Sequence, residues 1–93
     1  MEEIDNLQVG SLVTSTKGRD EKKVYLVLKK VDENYYLLVD GDHKKLANPK
    51  LKKIKHIKSL NIIIEKLQTK INENSKIFDS EIYSAIKKAL ENK

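Results

Sequence analysis

The chain has 93 residues, 39% hydrophobic and 35% charged, with no cysteine and a net charge of +5. That length bounds it to one domain, or one small domain with an appendage, and a thin core. The composition is too apolar for a disordered chain, and it excludes disulfides and thiolate metal sites.

The charge is unevenly spread. Residues 1–42 carry a net −3, residues 43–58 a net +7 and residues 59–93 a net +1. A block of one sign is the footprint of a polyanionic partner. The acidic start, MEEIDNLQVG, does not read as a secretory signal, and the short hydrophobic runs do not span a membrane. A cytoplasmic protein is expected.

In chain order, VGSLVTS (9–15) holds β-branched residues without helical period and reads as a strand. TKGRDEKK, centred on Gly18, reads as a loop. VYLVLKKV (24–31) is a second strand, Asp32-Glu33-Asn34 a break, and YYLLVD (35–40) a third strand. Asp40-Gly41 is a hairpin signal into HKKLAN, a fourth strand; Pro49 interrupts, and LKKIKHI (51–57) is the fifth. Five short strands joined by tight turns argue for a small antiparallel barrel.

Strands two and three are apolar on both faces. Val24, Leu26 and Leu28 oppose Tyr25, Val27 and Val31, and Tyr35, Leu37 and Val39 oppose Tyr36 and Leu38. A half-exposed sheet alternates, so one face fills the barrel and the other needs a cover. Leu60, Ile63, Ile64, Leu67 and Ile71 follow helical spacing, as do Phe78, Ile82, Ile86, Ala89 and Leu90. Asp79 or Ser80 is the expected N-cap of the second helix. The fold class is therefore α+β: a five-stranded antiparallel barrel over residues 1–58, with a C-terminal helical hairpin over 59–93 packed on its outer face.

Residues 7–60 resemble the KOW-domain RNA-binding family, most closely the short bacterial proteins related to a large-subunit ribosomal protein family of archaea and eukaryotes. The resemblance rests on Val9-Gly10, Ser15, Lys17-Gly18-Arg19-Asp20, Asn34-Tyr35, Asp40-Gly41-Asp42 and Pro49 before the lysine-rich strand. Lys22 stands where the family usually has a second glycine. The resemblance implies an SH3-like barrel, RNA binding, and association with the ribosome or its assembly.

Lys44, Lys45, Lys50, Lys52, Lys53, Lys55 and Lys58 are the first candidate site. Lysine contacts phosphates as a flexible point charge, which sets affinity without reading bases. Side chains alternate along a strand, so four or five of the seven are expected to engage together. That number gives a log–log salt slope of roughly −3 to −5. The competing reading is an edge strand blunted by lysines. His56, set among these lysines, is a further RNA contact, neutral at physiological pH because neighbouring cations disfavour its charged form.

The second candidate is the loop carrying Lys17, Gly18, Arg19, Lys22 and Lys23, which meets RNA in KOW domains. Gly18 permits close backbone approach, and Arg19 suits phosphate, a guanine edge or stacking on an unpaired base. Tyr25, Tyr35 and Tyr36 read first as core, with Tyr35 the more exposed candidate for base stacking. Asp40-Gly41-Asp42-His43 superficially resembles a metal site, but a turn explains it better.

No nucleophile, phosphate loop or cleft-forming carboxylate pair supports catalysis. The expectation is a non-enzymatic module binding RNA, ribosomal RNA first, with ribosomal proteins as further partners. No cofactor, metal, small-molecule substrate or membrane is expected. An SH3-like or Tudor-like protein-interaction module is the alternative.

Overall fold

The computed structural model describes residues 7–16 and 23–91. Five strands form one antiparallel sheet: β1 (Ser11–Ser15), β2 (Val24–Lys30), β3 (Tyr35–Val39), β4 (Lys50–Lys53) and β5 (Ile57–Ile63). Two helices follow, α1 (Glu65–Asn72) and α2 (Asp79–Glu91). The strand order is β4-β3-β2-β1-β5.

The two faces bury separate clusters. On one, Val13, Tyr25, Val27, Tyr36, Leu38 and Ile57 are buried, joined among the described residues by Leu7 and Ile54. Among the described residues, none from α1 or α2 joins this cluster, yet Tyr25 and Tyr36 are fully enclosed. The sheet curls over its own inner face, as the short connection between its two edge strands requires. On the outer face, Leu12, Leu26 and Val39 pack under Leu67 of α1 and Ile82 and Ile86 of α2. The expectation of two apolar faces, one filled by the sheet and one covered by helices, describes this arrangement.

The corner between β4 and β5 shows how far the sheet curls. A single 3-10 turn, Ile54–His56, joins these two strands, which lie at opposite edges of the sheet. Four Cα steps separate Lys53 from Ile57, so the edges approach within about 14 Å. The turn is tied at both ends: the Ile54 N–H donates to Asn34 O (2.8 Å), and the Thr16 N–H donates to His56 O (3.0 Å). No ladder pairs β4 with β5. The described sheet is curled but open, so it is not a closed barrel.

Two segments differ from the sequence expectation. HKKLAN is not a strand. The Asp40 carboxylate accepts the N–H groups of Asp42 and Lys44, and Gly41 takes φ +79°, so the chain forms a loop. Leu46 packs into the outer core, and its N–H donates to Asp79 Oδ1 across 33 positions (2.7 Å). The second difference lies in residues 51–63. The fourth strand falls on Lys50–Lys53, and the fifth runs over Ile57–Ile63, across the expected boundary at residue 58. Pairing with β1, at Ser15 with Ile57 and Ser11 with Ile63, holds the Ile-rich run extended, so α1 begins only at Glu65.

The α2 start also differs. Phe78, not Asp79 or Ser80, precedes the first helical residue. Its N–H donates to Glu81 Oε1 (3.2 Å), half of a capping box. Asp79 is spent on Leu46 instead.

Candidate nucleic-acid interface

A bulge in β2 decides which side chains reach solvent. Leu26 and Val27 pair with Val39 and Leu38, but the next pair is Lys29 with Leu37. Leu28 is the extra residue and packs into the outer core. The insertion reverses the alternation beyond it. Lys30, opposite buried Tyr36, takes the inner phase, so Lys29 and Val31 fall on the outer face. Val31 therefore leaves the face it was expected to share with Tyr25 and Val27, and is 47% exposed.

Register then sorts the lysines, because residues directly opposite in an antiparallel pair share a face. Lys50 and Lys52 oppose Leu38 and Tyr36 and lie on the inner side, half-buried along the β4 edge. Lys53 opposes Tyr35 on the outer side and is exposed. Lys55 stands exposed on the 3-10 turn, and half-buried His56 follows it. Lys58 opposes Thr14 on the outer side of β5, also exposed.

Lys44 and Lys45 lie elsewhere, in the loop that docks on α2. Lys23, exposed where β2 begins, lines a hollow with Asp40, Asp42 and Lys87, apart from the β4–β5 corner. The seven lysines of residues 43–58 are thus dispersed: Lys44 and Lys45 lie on the α2 side, Lys50 at the start of the β4 edge, and the rest towards the β4–β5 corner. The corner brings together Lys53, Lys55 and Lys58, with Lys52 at its inner margin. Lys17, Gly18, Arg19 and Lys22 lie outside the described residues; Thr16, immediately before them, is bonded to this corner.

Apart from Tyr35, sequence reasoning missed the outer face of β2, β3 and β4 beyond the helices. Two rows cross it. Lys29, Leu37 and Leu51 form one; Val31, Tyr35 and Lys53 form the other, closed by the Val31 N–H donating to Tyr35 O (3.0 Å). None of these six packs in the core beneath the helices. Leu51 is 53% exposed, while Tyr35 and Leu37 are half-buried. Beside them, Asn34, Tyr35, Lys53, Ile54 and Lys55 line a small hollow. The position of the bulge decides this face, and no residue of VYLVLKKV signals it.

The Asp40–His43 segment is occupied by its own turn. Asp40 accepts two backbone N–H groups, and Asp42 faces His43 at 3.5 Å with both exposed. Among the described residues, no cluster of three or more His, Asp or Glu could hold a metal ion, and no helix is long and apolar enough to cross a membrane.

Besides their shared apolar core, the helices are linked by an ion pair. Lys70 of α1 donates to Glu81 Oε2 of α2. This bond, and then the Phe78 N–H, hold the Glu81 carboxyl below its ordinary pKa. A groove between the helices is lined by Leu67, Ala85 and Ala89 together with Ser80, Ser84 and Lys88.

No protein-family model matches the chain, and a search of curated proteins finds no match.

Proposed function

We propose that this protein is a non-enzymatic RNA-binding module that docks on structured ribosomal RNA in the cytoplasm. The observation that carries the reading is the β4–β5 corner. It presents three exposed lysines within six residues, drawn from a sixteen-residue stretch without a carboxylate. Ammonium groups held on a rigid corner suit a phosphate backbone and supply affinity without base selectivity. The strand order and the 3-10 turn between the edge strands support treating the curled sheet as an SH3-like barrel of the KOW type.

The test is titration of the purified protein against labelled large-subunit ribosomal RNA transcripts over a range of salt. Three or four phosphate contacts give a log–log slope of roughly −2 to −4. That is shallower than four or five lysines would give, because the structure divides the block. No binding at low salt would overturn the reading.

A second reading, a protein-interaction module, is favoured by one observation. Phe78 is 57% exposed, and Tyr83 and Leu90 of α2 are exposed as well. Under that reading Tyr83→Ser abolishes partner capture, and RNA is irrelevant.

A further inference from the structure

We infer that the outer face at Tyr35 is a stacking site for an unpaired RNA base, so the module takes single-stranded or looped RNA at this point. The inference rests on the RNA-binding reading and specifies the class of RNA.

Four observations carry it. First, the face is apolar and aromatic: Val31, Tyr35, Leu37 and Leu51 lie adjacent across three strands, and none of them belongs to the core that α1 and α2 cover. A lysine-blunted edge strand would not place an aromatic residue and two exposed aliphatics together on one surface. Second, cations bound it. Lys29 ends one row, Lys53 ends the other, and Lys55 follows within two residues. An apolar platform rimmed by ammonium groups complements a base with its phosphates and gives an uncharged protein surface no matching partner.

Third, the platform is held in place. The Asp32 carboxylate accepts the N–H groups of Asn34 (2.8 Å) and Tyr35 (3.0 Å), and Asn34 O accepts the Ile54 N–H. Tyr35 therefore sits on a braced turn, and little ordering accompanies binding. Asp32 is engaged inside that turn, so the phosphate path runs along the Lys53–Lys55 side. Fourth, the hollow lined by Asn34, Tyr35, Lys53, Ile54 and Lys55 adds an amide beside the ring. An amide can bond a base edge, which a duplex keeps paired.

The experiment compares a fluorescent eight-nucleotide oligouridine with a fully paired RNA duplex of the same length, using the full chain. The single strand is expected to bind more tightly. Tyr35→Ala is expected to weaken single-strand binding about tenfold or more and leave duplex binding unchanged, while Tyr35→Phe retains wild-type affinity. Because Tyr35→Ala could disturb β3, amide shifts of the unmodified protein provide a second measure. On adding oligouridine, Asn34, Tyr35, Lys53 and Lys55 should move together.

Equal affinity for both RNAs, with those amides still, overturns the stacking site and leaves the RNA-binding reading standing. Failure to bind either RNA removes both. Concentration-dependent dimerisation that moves the same amides without RNA also overturns the inference, since a second copy would then occupy the face.

Discussion

Gly41 stands so close to the first turn of α2 that a Cβ there would lie 2.2 Å from the carbonyl oxygen of Asp79. The same atom would lie 2.7 Å from the Tyr83 nitrogen. Both neighbours are backbone and cannot rotate away. Gly41 also has φ +79°, where a side chain is strained even in open space. The Asp-Gly step thus serves two ends: it turns the chain, and it lets a helix 38 positions later lie directly on that turn.

Gly41→Ala should therefore cost more than the usual left-handed penalty. Backbone strain alone is about 1–3 kcal/mol, and the clash adds displacement of α2. A drop of at least about 2 kcal/mol in denaturant-derived stability is expected, with protection lost first at the α2 amides in hydrogen exchange. Wild-type stability in this variant would show that α2 does not rest on the loop.

The division of the lysines predicts unequal charge reversals. Lys53→Glu, Lys55→Glu and Lys58→Glu combined should weaken ribosomal RNA binding roughly a hundredfold or more, by loss of three charge-assisted contacts. Lys45→Glu, in the loop docked on α2, should cost far less. All four positions are exposed, so circular dichroism should stay unchanged. A Lys45 effect equal to the triple reversal would mean that RNA lies across the α2 side.

Part of this arrangement is legible in the residues. Tyr25 and Leu26 are adjacent in an extended run, so both faces of β2 had to be buried, and the helical spacing of Ile82, Ile86 and Ala89 supplies a cover. Ile62-Ile63-Ile64 is different. Its residues fit either a helical stripe or alternation with Leu60, and pairing with β1 decides for the strand. Asn61, at φ +59°, absorbs the irregularity that this pairing requires. The bulge at Leu28 leaves no signature, because Val-Leu-Lys is equally compatible with a regular strand. The stacking face therefore came from register, and the lysine corner from composition.

Lys70 and Glu81 set an acid limit on the helical hairpin. The folded carboxyl titrates below its ordinary value because Lys70 and the Phe78 N–H favour its charged form. A lowered folded pKa means the carboxylate's contribution is fully present above the unfolded value. It is lost as pH falls through the folded value. Melting temperature should fall on acidification through the carboxylate range, and Glu81→Gln should flatten that fall while lowering the neutral-pH value. An unchanged acid limb in Glu81→Gln would assign the sensitivity to other carboxylates.

The final prediction concerns the cover itself. Leu67 is 1% exposed and, with Ile82, lies in the cluster that closes over Leu12, Leu26 and Val39. Leu67→Ala should cost about 2–5 kcal/mol, a large part of what a domain this small can hold. Ending the chain at Ile64 retains β5 and its pairing with β1, and it removes both helices while leaving the inner cluster intact. The truncated chain should bind a hydrophobic dye or aggregate, because the outer-face leucines lose the cover that α1 and α2 provide. If it instead stays monomeric and unfolds cooperatively, the sheet stands on its inner core alone, and the helices are free to serve a partner.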